Sequence, residues 1–156
     1  MLKVIQAPSD ADVRCAQGLL EEYAASLGFS LCFQNFDKEL RDLPGEYAPP
    51  QGRLLLAFYQ NALAGCVALR KLDAETCEMK RLYVRPAYRG QGIGRALATL
   101  VIDEARGIGY ARMRLDTLPS MKEAIRLYQS LGFQRIESYR DNPIEGASSW
   151  KWGALP

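Results

Sequence analysis

The sequence predicts a single α/β domain spanning residues 1–156, and three observations carry that prediction. One domain accommodates 156 residues, since domains cluster at roughly 100–150 residues. Apolar residues recur with the period of strands in some stretches and of helices in others, in the order β-α-α-β-β-β-α-β-α-β-β. The fourth strand runs into a glycine-rich turn that opens a helix, a junction typical of α/β proteins that bind anions.

Leu2 to Gln6 alternates apolar and polar residues, as a short first strand does. Ser9, Asp10 and Asp12 offer caps for a helix whose apolar positions (Val13, Ala16, Leu19, Leu20, Tyr23, Ala24, Leu27) recur every three or four residues up to Gly28. Phe33 to Leu43 reads as a second, shorter helix, and residues 43–50, with Pro44, Gly45, Pro49 and Pro50, read as a loop. Arg53 to Tyr59 and Ala64 to Lys71 are strands around a short hairpin turn, and Thr76 to Val84 is a further strand that Pro86 ends. The next helix runs to Arg106 with Ile93, Leu97, Leu100, Val101 and Ala105 on one face, closed by Gly107 and Gly109. A strand at Arg112 to Thr117, a helix at about Ser120 to Leu131 and strands at Phe133 to Ser138 and Ala147 to Trp152 complete the chain.

Composition removes several function classes. The chain is 48% hydrophobic and 24% charged, with a formal charge of +2 and no basic run, so nucleic acid is not an expected partner. No apolar run approaches the roughly 20 residues that span a bilayer, and the N-terminus lacks the apolar stretch of a signal peptide. A soluble, cytoplasmic protein with no membrane partner is expected. Four cysteines (Cys15, Cys32, Cys66, Cys77) show no C-x-x-C spacing and read as reduced, packed thiols. Histidine is absent, which rules out Ser-His-Asp and Cys-His catalysis and a mixed cysteine–histidine zinc site; no metal is expected. Any general base must be a carboxylate, tyrosine, lysine, cysteine or water chain.

Glu78 to Leu100 carries most of the chemical information. Glycine lets a backbone approach an anion closely, and the unpaired N–H groups of a helix start attract phosphate. Two better-known phosphate motifs fail here. A G-x-x-x-x-G-K-[ST] loop and a G-x-G-x-x-G fingerprint both meet Arg95 where a glycine is required, and no Lys-Ser/Thr pair follows.

Arg89-Gly90-Gln91-Gly92-Ile93-Gly94 instead resembles the R/Q-x-x-G-x-G/A signature of the GNAT superfamily of N-acetyltransferases. The resemblance extends to Glu78–Pro86, which looks like the family's central strand, and to Ala124–Phe133, which looks like its A-x-x-L-Y-x-x-x-G-F helix. It implies a mixed, mostly antiparallel sheet of six or seven strands flanked by about four helices. It also implies acetyl-CoA as cosubstrate. The pyrophosphate would lie on the amides of Arg89, Gly90, Gln91, Gly92, Ile93, Gly94 and Arg95, and pantetheine would pair with the backbone of Leu82, Tyr83 and Val84.

The same resemblance implies roles for two side chains. Acyl transfer needs a neutral amine, and an alkylamine of pKa near 10.4 is deprotonated at only about 4 parts in 10,000 at pH 7. Glu78 matches a catalytic glutamate of some members and is the candidate base, directly or through water. Tyr128 matches the tyrosine near the coenzyme sulfur and is the candidate acid. Asp116 is a weaker candidate for base or amine binding. Met121 stands where many members have an asparagine that contacts the coenzyme. The resemblance leaves the acceptor open, since family acceptors range from small amines to protein lysines and N-termini. A small-molecule amine is favoured, read by residues 29–50 and 139–146, where aromatics (Phe29, Phe33, Phe36, Tyr47) and carboxylates (Asp37, Glu39, Asp42, Glu46) would suit a cation, while Lys38 and Arg41 offset much of that charge and amphipathic packing explains the aromatics equally well. A homodimer is open to the chain by analogy with family members. A CoA-binding sensor without turnover would share the glycine turn; Glu78 and Tyr128 favour catalysis.

Overall fold

A computed structural model describes residues 2–7, 9–27, 36–117, 121–137 and 148–152. Its elements are β1 (Leu2–Gln6), α1 (Asp10–Ser26), α2 (Phe36–Asp42), β2 (Arg53–Tyr59), β3 (Ala62–Lys71), β4 (Thr76–Val84), α3 (Ile93–Ile108), β5 (Arg112–Thr117), α4 (Lys122–Ser130), β6 (Phe133–Ile136) and β7 (Ser148–Trp152). The expected order of elements is observed. The strands form one seven-stranded sheet in the order β1-β2-β3-β4-β5-β7-β6. Neighbouring strands pair antiparallel except β4 and β5, which are parallel.

Local chemistry sets the element boundaries. Ser9 caps α1, its hydroxyl accepting from the Asp12 N–H at 3.1 Å, and Asp10 and Asp12 complement the helix dipole. β2 and β3 meet through a two-residue turn in which Gln60 and Asn61 both adopt positive φ (49° and 68°), so β3 begins at Ala62, two residues before the expected start. α3 ends where Gly109 turns left-handed at φ 112° and its N–H bonds back to Ala105 and Arg106. Residues 43–50 hold more order than the expected loop, because a short 3₁₀ turn at Gly45–Tyr47 buries the Tyr47 ring. The described part of the second helix starts at Phe36; its expected start at Phe33 lies outside the described residues.

The sheet is covered on both faces. Leu55, Val67, Leu69, Met79, Leu115 and the buried stripe of α3 form one core. Leu54, Leu56, Cys66, Ala68 and Tyr83 form the other with Leu19 and Leu20 of α1 and Phe36 of α2. Alternation along each strand therefore decides which side chains meet α3 and which meet α1 and α2. Leu100, expected on the core stripe of α3, is only half-buried at its edge.

Candidate active site

The parallel ladder between β4 and β5 is short. It joins Thr76 to Arg112, Cys77 to Met113 and Glu78 to Arg114, and then the two strands diverge. β4 continues to Val84 and β5 to Thr117, so residues 79–84 have no pairing with β5. A bulge contributes to the splay. Between the pairs Cys66–Tyr83 and Ala68–Lys80, β4 carries one residue more than β3, and Arg81 takes the extra step at φ 60°. The bulge interrupts alternation: Lys80 lies opposite Ala68 on the α1/α2 side, and Arg81 packs on that side too, its guanidinium 5.4 Å from the Phe36 ring centre and 6.0 Å from that of Tyr23.

The opening continues into a cleft of about 670 Å³ that reaches the start of α3. Gly92 occupies the cap position of α3 at φ 80° with no side chain to cap the helix. The first helical bond runs from the Ala96 N–H to the Gly92 carbonyl at 3.0 Å, so the N–H groups of Ile93, Gly94 and Arg95 have no partner inside the helix. Gly90 also has positive φ (82°), and a Cβ added at Gly90 or Gly92 would meet nothing within 4 Å, so both glycines border open space. Leu82, Tyr83, Val84, Arg89, Gly90, Gly92, Ile93 and Gly94 all line the cleft. Gln91 is exposed and does not line it. The Arg95 side chain turns away, donating to Ser130 Oγ at 2.7 Å. The Arg89 Nε donates to the Val84 carbonyl at 2.9 Å, which fixes the exit of β4.

Residues 17–133 match the model of the acetyltransferase (GNAT) family. The chain belongs to that family. Its sequence is 41% identical over 145 residues to an uncharacterized N-acetyltransferase of Schizosaccharomyces pombe, covering 92% of this chain and 88% of that one. Its fold superposes with a TM-score of 0.82 on a GNAT-family acetyltransferase of Staphylococcus aureus at 18% identity, over the full length of both. It also matches the PaiA N-acetyltransferase of Thermoplasma acidophilum, solved in complex with coenzyme A, at a TM-score of 0.75 and 16% identity, covering 98% and 99% of the two chains.

In this N-acetyltransferase the two residues singled out as acid and base line the same cleft. Glu78 is 2% exposed and sits on the last rung before the strands part. Its Oε1 accepts from Arg70 Nε at 2.7 Å, and Arg70 Nη1 also donates to Glu46 at 2.9 Å. The carboxylate is thus positioned by a cross-strand arginine. Tyr128, on the last turns of α4, is buried, its ring edge-on to Phe133 at 5.6 Å. Burial raises its hydroxyl pKa, and the nearby Tyr23 hydroxyl adds to the rise, so Tyr128 remains a proton donor throughout the physiological range. Asp116 lines the cleft from β5. Burial raises its carboxyl pKa against the lowering effects of the Ser149 hydroxyl, which donates at 2.7 Å, and of Lys80. Met121 also lines the cleft.

Two cleft residues escaped sequence reasoning. Tyr23 reads as one more apolar position of α1, yet it lines the cleft and packs edge-on against Tyr83 at 6.0 Å. Lys80 lies within the expected strand and reads as nothing more, yet it is half-buried in the cleft, and burial followed by the neighbouring Arg81 and Arg70 charges lowers its pKa to about 7. Nothing in either local sequence signals these positions, because both depend on the bulge and on packing between distant elements.

The expected aromatic and acidic reader in residues 29–50 is corrected where it is described. Phe36 and Tyr47 are buried in the core and do not line the cleft. Glu39 takes two hydrogen bonds from Arg81 (3.0 and 2.9 Å), Asp42 pairs with Lys38, and Glu46 pairs with Arg70. Phe29 and Phe33 lie outside the described residues, as do residues 139–146. Among the described residues no group of three or more His, Cys, Asp or Glu is placed to hold a metal ion, and no helix is long and apolar enough to cross a membrane.

Proposed function

We propose that the protein transfers the acetyl group of acetyl-CoA to the primary amine of a small molecule by direct attack, as one catalytic domain over residues 1–156. The observation that carries this reading is the coincidence of three features in one cleft: the divergence of β4 from β5, the uncapped start of α3, and Glu78 with Tyr128 between them. The residues present fit the cosubstrate. Gly90 and Gly92 border open space where a diphosphate needs close approach to main-chain N–H groups. The unpaired edge of residues 82–84 offers backbone groups to an extended chain, as an added strand would use them.

When bound, acetyl-CoA supplies an activated acyl group on a fair leaving group. The protein supplies the rest. A main-chain N–H of residues 82–84 polarises the thioester carbonyl and is already oriented before charge develops there. Glu78, held by Arg70, accepts the ammonium proton of the acceptor directly or through one water, which frees the nitrogen lone pair. As the N–C bond forms and the C–S bond breaks, the Tyr128 hydroxyl protonates the departing sulfur, the nitrogen gives up its second proton through water, and solvent returns a proton to Tyr128. Thiolates leave with a pKa near 8.5, so this acid accelerates the step without being indispensable. Asp116, whose burial favours a proton-bearing or ammonium-paired carboxyl, assists in holding the amine.

We place this activity in the cytoplasm, a reading supported by the free thiols of Cys15, Cys66 and Cys77. The test is release of free thiol from acetyl-CoA in the presence of a panel of small amines. Amine-dependent release is expected. Tight acetyl-CoA binding with no release for any amine would leave a binding domain in place of an enzyme.

A further inference from the structure

The α1/α2 face of the sheet beside the opening carries alternating cationic and anionic side chains that are mostly paired. Arg70 is bound to Glu78 and Glu46, and Arg81 is clamped by Glu39. Lys80 stands apart from these pairs. It lines the cleft between Glu78 and the bulge and makes no ion pair or hydrogen bond with another described residue. Asp116 lies across the opening on β5, near enough for the two charges to influence each other. A lysine in a half-buried place is costly unless an anion meets it.

We propose that Lys80 is the anion anchor of the acceptor site, and that the acceptor is therefore a small amino acid or related zwitterion carrying a carboxylate beside its reactive amine. This rests on the acetyl-transfer reading above and names its substrate class. The amine end lies toward Glu78 and Asp116, where its proton leaves, and the carboxylate lies on the Lys80 ammonium. A polycationic acceptor fits poorly. Glu39 and Asp42 of α2 and Glu46 of the 3₁₀ turn, which would attract it, are bound to Arg81, Lys38 and Arg70, and Lys80 would repel it. Burial and the Arg81 and Arg70 charges lower the Lys80 pKa more than Glu39 and Asp116 raise it, and a bound carboxylate would add to the restoring charge.

The experiment compares kcat/KM, corrected to free amine, for matched acceptors with and without the carboxylate: L-alanine against L-alaninamide, and β-alanine against 3-aminopropanamide. The parent protein is expected to favour the acids by roughly 10- to 100-fold, the range of a charge-assisted hydrogen bond. Lys80→Met should collapse that ratio toward one, chiefly through KM, Lys80→Glu should invert it, and Lys80→Arg should retain it. Melting temperatures and acetyl-CoA affinity check that each variant folds. Equal rates for acid and amide in the parent overturn the anchor while leaving acetyl transfer intact. An unchanged acid-to-amide ratio in Lys80→Met does the same, as does an equal fall of kcat for both, which would make Lys80 a general base. No thiol release with any amine removes the reading beneath it.

Discussion

Glu78 of β4 and Arg114 of β5 form the last rung of the parallel ladder, and past them the two strands no longer pair. The candidate base thus stands at the apex of the opening, where a thioester lying along β4 would meet an amine arriving from the α1/α2 side. The Arg70 contact at 2.7 Å holds its carboxylate in place. Four predictions test this arrangement.

Removing the acid and the base should separate turnover from binding. Tyr128→Phe is expected to lower kcat by roughly 10-fold and Glu78→Gln by roughly 100-fold, in keeping with the usual size of proton-transfer contributions. Calorimetric titration should find acetyl-CoA affinity within about threefold of the parent, a margin well below one charge-assisted hydrogen bond. Unchanged rates in both variants would remove the assignment of these residues.

The proposed phosphate cradle can be blocked without harming the helix. Gly94 lies in the first turn of α3 outside the positive-φ region, and a Cβ there would make ordinary contacts of 3.7 and 3.8 Å with Val84 and Leu127. An aspartate at a helix start is favourable by about 0.3–1 kcal/mol, so Gly94→Asp should melt no lower than the parent. The same charge opposes the diphosphate, and the Kd for acetyl-CoA should rise at least about 10-fold. Normal affinity in a folded Gly94→Asp protein would count against the cradle.

A third prediction concerns stability and pH. Burial pushes the Glu39 carboxyl up, but the hydrogen bonds and charge of Arg81 outweigh it, and the net pKa lies below the ordinary 4.5. A carboxyl with a depressed folded-state pKa binds fewer protons folded than unfolded. Its stabilising contribution is therefore complete above the unfolded value of about 4.5 and is lost as pH falls through the lower folded value. Glu39→Gln leaves the Arg81 charge buried and unpaired, and should cost about 3 kcal/mol at pH 7 in urea unfolding. The gap between parent and variant should narrow below pH 4, and a constant gap would contradict this account.

A fourth prediction addresses the bulge. Deleting Arg81 removes the extra residue and restores strict alternation between Lys80 and Leu82, so β4 loses the bulge while its other side chains keep their faces. Loss of acetyl-CoA binding together with cooperative unfolding is expected in thermal melts. A deletion that retained affinity would show that the opening does not depend on the extra residue.

Much of this molecule was legible in its sequence, and what was hidden has a common cause. Strand and helix periods located the elements to within a few residues, and the glycine turn marked the start of α3, because these signals are local. Arg81 gives no such signal: a non-glycine residue at φ 60° inside a strand is held there by pairing with β3 and by Glu39 on α2. Without that bulge, alternation places Lys80 and Arg81 on opposite faces, and the cationic side of the cleft cannot be read. The carboxylates of residues 37–46 misled for a related reason. Their sequence suits a cation, but Arg70 and Arg81 on the sheet had already taken two of them.

The most direct measurement is amide hydrogen–deuterium exchange with and without saturating acetyl-CoA. The account predicts slowed exchange concentrated in peptides covering residues 82–84 and 90–95. Binding that slows exchange elsewhere while leaving those two segments unchanged would contradict it.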